Sequence, residues 1–343
     1  MVIVGAGASY DSLTTHSPDP KKPDAFRLPL ADELFQYRTS FQPHIAALPT
    51  ALSLAGVLRN RRNGQSLEEV LEEYATRAIN DPQAKSQLVA VRYYIQRVVD
   101  ACENAWYREA NMSTNMHTLI EMIETRRNSK KNQDRPIFVT FNYDRLIESA
   151  LALREPAIKS LDGYINKEQT NVFKLHGSVD WWRRVGEVSE NIIYADQSVA
   201  AESIARNIDR YDVERPIEFR GSNFEAQKGN DLFIPAIAIP IKNKYSFECP
   251  EAHVTRLEEH LPLVTSILTI GWRGGEEHFL QMLRKTGVRR HLYVHCVTGR
   301  GEAGETVKQI QTAYPESRFT QFDQGFTNYL QTDLLNMLLN FTW

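Results

Sequence analysis

The chain opens on a short β-branched run, Val2-Ile-Val4, that ends in Gly5-Ala-Gly7-Ala-Ser9, the pattern of a buried strand entering a tight turn. Asp11 to Pro29 is rich in Ser, Thr, Asp and Pro and predicts a loop, after which Leu30 to Tyr37 resumes helical spacing. From Ser66 to about Arg127 the pattern is strongly helical. Ser66-Leu-Glu-Glu69 has the form of a capping box, and Ala84 to Ala110 repeats apolar residues at Leu88, Val91, Ile95, Val98 and Cys102. Ile137 to Thr140 returns to strand character, Leu146 to Leu153 to helix, and Val172 to Leu175 to strand. Arg183 to Asp231 is polar and weakly periodic, longer than most compact loops, and predicts an insertion or a lid. Strand-like runs follow at Leu232 to Ile239, Ser266 to Ile270, His291 to Val297 and Arg318 to Phe322. Helical patterns cover Glu251 to Glu259, Glu276 to Lys285, Gly304 to Ala313 and Phe326 to Asn340. Alternating strands and helices imply an α/β domain with a mostly parallel sheet and helices on both faces. The expected organisation is one domain over 1–343, with a helical insertion at 31–130 and a polar insertion or lid at 183–231.

Composition changes this picture little. With 42% hydrophobic and 24% charged residues, the chain resembles an ordinary soluble globular protein. A formal net charge of -3, from 40 basic and 43 acidic residues, gives no global attraction to nucleic acid or anionic lipid, so neither is an expected partner. Cys102, Cys249 and Cys296 are odd in number and widely spaced, which suits neither a disulfide framework nor a zinc cluster, so no metal is expected. The opening residues lack the pattern of a signal peptide, no apolar run has spanning length, and the expected location is cytoplasmic, away from membranes.

Four strand ends carry candidate chemistry. Gly5, Ala6, Gly7 and Ser9 follow the first strand, where glycines let backbone approach a pyrophosphate; the alternative is a structural turn, and Tyr10 stands where a third glycine of the dinucleotide fingerprint would be. Thr140-Phe-Asn-Tyr-Asp144 puts Asn142, an uncharged donor and acceptor, and Asp144, an acceptor, at a strand's C-terminal end; both residue types also cap helices. Lys174-Leu-His-Gly-Ser178 places His176 beside a glycine, as a general base or as a satisfied core histidine. Ile270-Gly-Trp-Arg-Gly-Gly-Glu-Glu-His278 forms a further turn in which Arg273 suits a phosphate, while Glu276 and Glu277 suit the helix dipole. Trp181-Trp182 predicts core or flap packing, and Arg59, Arg61 and Arg62 a solvated helix end.

Together these motifs occur in the order of the sirtuin superfamily, and over residues 1 to about 280 the chain resembles the sirtuin-like NADase branch of bacterial anti-phage systems. The resemblance implies a Rossmann-like fold and NAD as substrate. It places Gly5, Ala6, Gly7 and Ser9 at the pyrophosphate, Asn142 and Asp144 at the nicotinamide ribose, His176 at the base position, and Gly271, Trp272 and Arg273 at the adenosine half. Asn142 and His176 are then the catalytic pair. The four-cysteine zinc module of deacetylating sirtuins has no counterpart, and only Phe26-Arg27 echoes the segment that follows their first glycine motif. The implied activity is hydrolysis of NAD+ to nicotinamide and ADP-ribose, as a defence effector that depletes NAD. A protein deacylase or ADP-ribosyltransferase, and a non-enzymatic scaffold sensing NAD or ADP-ribose, are the alternatives. The resemblance also implies a homo-oligomer with a partner such as a HerA-type ATPase.

Overall fold

The computed structural model describes residues 1–13, 26–62, 64–129, 135–189, 193–221, 225–241, 246–287, 291–299, 301 and 303–332. The strands are β1 (Val2–Val4), β2 (Phe138–Thr140), β3 (Val172–Lys174), β4 (Gly177–Glu187), β5 (Ile217–Phe219), β6 (Gln227–Lys228), β7 (Asp231–Ile237), β8 (Ser266–Ile270), β9 (Tyr293–Val297) and β10 (Arg318–Phe322). The helices of the first half are α1 (Ala6–Tyr10), α2 (Gln42–Ala46), α3 (Pro49–Arg59), α4 (Leu67–Arg77), α5 (Pro82–Glu109) and α6 (Asn115–Ser129). Those of the second are α7 (Leu146–Leu151), α8 (Gln197–Arg206), α9 (Glu251–His260), α10 (Glu277–Gly287), α11 (Ala303–Gln311) and α12 (Phe326–Thr332). The chain divides into two compact units: one formed by 1–23, 105–175 and 244–343, the other by 24–104 and 176–243.

The first unit holds a six-stranded sheet in the order β10-β9-β8-β1-β2-β3, parallel at every pairing. Counted within this sheet alone, that is the 3-2-1-4-5-6 order of the doubly wound dinucleotide-binding folds. The α/β Rossmann-like expectation therefore holds. Both faces are covered, which is why its inner strands read as continuous apolar runs rather than alternating ones. Ile3, Val139, Phe173, Ile267, Val294 and Cys296 face a core shared with Leu257 and Leu261, with Phe279, Leu280 and Leu283 of α10, and with Ile310 of α11. On the opposite face the His295 ring stacks on Tyr329 of α12 at 5.3 Å, and Lys174 meets Glu148 of α7.

The second unit holds an antiparallel sheet in the order β5-β4-β7-β6, together with the helices from α2 to α4 and α8. Three expectations change here. The run Leu232 to Ile239 is a strand, but it pairs antiparallel in this sheet: β4 supplies an eleven-residue neighbour that its mixed polar sequence concealed. Residues 183–231 carry α8 and strands β5 and β6 rather than weak structure alone. Leu30 to Tyr37 forms a single 3-10 turn at Ala31–Glu33, because its buried residues, Leu34 and Phe35, are adjacent and give a helix no continuous face. The capping box at Ser66 forms as expected: Glu69 N–H donates to Ser66 Oγ at 3.1 Å and Ser66 N–H to Glu69 Oε2 at 3.1 Å. Of the helix predicted over Phe326 to Asn340, the part from 333 onward lies outside the described residues. Among the described residues no helix is long and apolar enough to cross a membrane.

Candidate functional site

Within the first sheet the chain builds outward from β1 through β2 to β3, then returns to the centre to place β8 on the other side of β1. Open α/β sheets bind ligands outside the carboxyl ends of their strands at such a reversal. The turns leaving β1 and β8 meet there backbone to backbone. Gly5 N–H donates to Ile270 O at 2.9 Å and Gly7 N–H to Gly271 O at 3.1 Å. A methyl group on Gly5 would stand 2.5 Å from Gly271 O, and one on Gly7 2.8 Å from Gly271 Cα. Gly271 has φ +60, and a side chain on it would stand 2.2 Å from the Ala8 nitrogen. These glycines let two turns close on one another, and the amides of Gly5 and Gly7 are committed to that contact.

The turn leaving β2 is tied to the same place. Asn142 Nδ2 donates to Gly5 O at 2.9 Å and to Ser9 Oγ at 2.8 Å. The amide orientation follows from chemistry, since a carbonyl oxygen can only accept and so must face the NH2 group. Ser9 Oγ in turn donates to Asp144 Oδ2 at 2.6 Å. Both Asn142 hydrogens are thereby used within the protein, and Oδ1 is the edge of the amide left to accept from a ligand. Asn142 and Asp144 are each 7% exposed and Ser9 4%. Asp144 Oδ1 also accepts the Leu146 N–H at 3.2 Å; Asp144 stands one position before the N-cap, Arg145, and satisfies the first amide of α7 from there. Burial raises the Asp144 carboxyl above the ordinary carboxylate range, while Lys174, the Ser9 hydroxyl and the Leu146 amide pull it down and Glu148 adds to the rise.

Beneath this turn lies a group of charges that strand patterning did not single out. Lys174, the last residue of β3, has a fully buried side chain and pairs with Glu148 Oε1 at 2.9 Å. Its ammonium also donates to the backbone carbonyl of Asp144. Tyr164 OH donates to the same Glu148 oxygen at 3.0 Å. A lysine inside an otherwise apolar edge strand was the available signal, visible one residue ahead of Leu175-His176.

The remaining predicted residues are placed as follows. Trp272 is 2% exposed and stacks on Phe141 at 5.7 Å, with Phe279 edge-on at 5.8 Å, which is a packing position. Its indole N–H donates to Glu276, and Glu277 pairs with Arg284, as the bland reading of the two acids anticipates. Arg273 is exposed. Ala6 begins α1. His176 belongs to the second unit, where it is 5% exposed and its carbonyl accepts the Ala238 N–H at 2.9 Å. Gly177 beside it has φ +85, and any side chain there would strike Ala236 O at 2.0 Å. Trp181 and Trp182 are fully buried. Arg59 and Arg61 bond backbone carbonyls of Phe35, Leu58 and Gln65, which is a structural use. Among the described residues no cluster of three His, Cys, Asp or Glu could hold a metal ion.

Residues 136–293 match the family model of the SIR2-like domain. That stretch of the chain is SIR2-like. The matched stretch contains Asn142, Asp144, Lys174, His176 and the Gly271 turn, while Gly5 to Ser9 lie before it and are joined to it by the sheet. No curated protein matches the sequence. Among solved structures, a Sir2 homologue in complex with NAD is similar over 99% of this chain and 88% of that one, at 11% identity and a TM-score of 0.38. A mutant Sir2 homologue with 2'-O-acetyl ADP ribose is similar over 99% and 91%, at 11% identity and a TM-score of 0.40.

Proposed function

We propose that this SIR2-like protein cleaves the glycosidic bond of NAD+, giving nicotinamide and ADP-ribose. The observation that carries the reading is the Asn142–Ser9–Asp144 relay at the sheet reversal, which fixes one amide oxygen as an acceptor at the C-terminal edge. Nicotinamide in NAD+ is already a cationic leaving group, so no strong acid is needed at the site. What is needed is a ribose held in a reactive geometry, stabilisation of the oxocarbenium-like charge, and water at the anomeric carbon. Asn142 Oδ1 accepts from a ribose hydroxyl, and the buried carboxylate of Asp144 supplies negative potential nearby. His176, one residue beyond the first unit's Leu175, takes the proton of the attacking water. Gly271 and Arg273 support the pyrophosphate or adenosine half, Gly5, Ala6 and Gly7 form the floor of the turn, and Trp272 braces it from the core.

The SIR2-like match and the NAD complex of a Sir2 homologue support this choice of substrate. Hydrolysis is preferred to deacylation because the three widely separated cysteines offer no zinc module of the deacetylating kind. The test is to incubate purified protein with NAD+, with and without an acylated peptide, and separate the products. Free ADP-ribose independent of peptide is expected, and Asn142→Ala and His176→Ala should each lower turnover at least about a hundredfold while remaining folded. Near-normal turnover in either variant overturns the assignment, and intact NAD+ in every condition overturns the activity.

Unrestrained NAD+ cleavage would deplete a cofactor the cell needs, so in this reading, as an NAD-depleting defence effector, control comes from association. We expect a homo-oligomer whose turnover is weak alone and changes when a partner such as a HerA-type ATPase binds, with 66–127 and 183–231 as the contact surfaces. Solution mass and turnover across protein concentration test this; a fully active monomer indifferent to both refutes it.

A further inference from the structure

We propose that Lys174, braced by Glu148 and Tyr164, is a positioning residue for the Asn142–Asp144 turn; the inference rests on the cleavage reading above, because it concerns how that turn is held for reaction. A buried ion pair is a poor stabiliser in itself, since desolvation offsets much of its attraction and apolar replacements of equal volume are often neutral or better. Its placement therefore needs another reason. Here the ammonium bonds Glu148 Oε1 at 2.9 Å on one side and the Asp144 backbone carbonyl on the other. That carbonyl belongs to the non-helical stretch between β2 and α7, outside both hydrogen-bond ladders, so a side-chain donor is what fixes it. Tyr164 holds the shared Glu148 oxygen at 3.0 Å, while the other oxygen, Oε2, is buried with no partner among the described residues. Two carboxylates thus stand against one ammonium, and the groups facing Asp144 are the Ser9 hydroxyl, the Leu146 amide, Lys174 and Glu148.

The two charges act on Asp144 with opposite sign: Lys174 lowers its proton affinity and Glu148 raises it. Packing alone would not distinguish them. The full-length chain is compared with Glu148→Gln, Lys174→Met and the double variant Lys174→Met/Glu148→Met, which replaces both charges with apolar groups. We read melting temperature, kcat and KM for NAD+ across pH, and hydrogen exchange at residues 142–147. Expected are a kcat about tenfold or more lower in Lys174→Met with KM changed far less, an acid limb of kcat moved upward in Lys174→Met and downward in Glu148→Gln, and faster exchange in the folded double variant. Limbs that stay still or move together overturn the proposal, as does a loss of kcat that merely follows melting temperature. If Lys174→Met does not fold, the double variant and Glu148→Gln decide: a folded double variant with normal kcat and exchange overturns it. Should the unmodified chain leave NAD+ intact, the cleavage reading fails by itself, and exchange at 142–147 still decides the positioning role. Exchange unchanged in the double variant then sinks it.

Discussion

Removing one oxygen atom from the relay, by Ser9→Ala, should damage both stability and turnover. The hydroxyl accepts from Asn142 at 2.8 Å and donates to Asp144 at 2.6 Å, in a residue only 4% exposed. Its loss leaves one Asn142 N–H and one Asp144 oxygen short of a partner where water has little access. A hydrogen bond to a charged group contributes about 1.5–3 kcal/mol and a neutral one about 1, so the cost is roughly 2–4 kcal/mol. That is a large fraction of a domain's net stability of about 5–15 kcal/mol. Because Asn142 would keep only its bond to Gly5, its oxygen should lose its fixed direction, with kcat falling about ten- to a hundredfold. Asn142→Asp provides a sharper comparison. It keeps the shape but sets a carboxylate oxygen against the Gly5 carbonyl and beside Asp144, so it should melt lower than Asn142→Ala. Calorimetric melting and single-turnover NAD+ cleavage measure both effects. Unchanged melting and turnover in Ser9→Ala, or an Asn142→Asp variant more stable than Asn142→Ala, would refute the assigned hydrogen bonds.

Gly271→Ala should destabilise the chain by at least about 2 kcal/mol, since a left-handed conformation and a backbone collision add together. Gly56→Ala, in mid-helix α3 with nothing within 4 Å of the new methyl, should stabilise it by about 0.5–1 kcal/mol, and denaturant melts compare the two. Acidification should weaken the fold. Burial holds His44, His117, His253 and His260 below the ordinary value of 6.5, so the unfolded chain takes up protons first and stability falls as pH drops beneath about 6.5. The buried N-terminal amine of Met1, lowered to about 5, acts in the same direction as the histidines, and Asp144, raised by burial, with the opposite sign; melting temperatures that rise from pH 7 to 5.5 would contradict the balance. Burial pushes the thiols of Cys102 and Cys249 up to about 12 and that of Cys296 to about 11, so a thiol reagent at pH 8 should label the folded chain slowly and all three cysteines after denaturation. Rapid labelling of the native protein would show the thiols to be accessible.

The centre of the parallel sheet was legible because β1, β2 and β8 are short apolar runs followed by glycine or a polar turn, a local pattern that needs no knowledge of its neighbours. The antiparallel sheet was hidden for the opposite reason. β4 mixes Asp180, Trp181, Trp182, Arg183 and Arg184 in a sequence without clean alternation, and its register against β7 shifts between Gly177 and Trp182. A strand that bulges loses the period of two on which recognition depends. Leu30 to Tyr37 failed through proximity of apolar residues without a tertiary surface for a full helix.

At the site, sequence spacing identified the turns but not their mutual dependence. Gly5, Gly7 and Gly271 look in sequence like three chances for backbone to approach a phosphate, and in the structure they first serve to bring two turns within hydrogen-bond reach of each other. Asn142 likewise looks like a free polar group facing substrate, yet both its hydrogens are consumed by Gly5 and Ser9. These two facts belong together. A side chain can be aimed only if something rigid holds it, and the rigid body here is the pair of glycine turns that Asn142 grips through the Gly5 carbonyl. A substitution that separates the turns would therefore act on the amide oxygen without touching a ligand, which is why Gly271→Ala should lower kcat as well as stability. A variant that melts lower yet retains full turnover would show that the glycine contact and the position of Asn142 are independent.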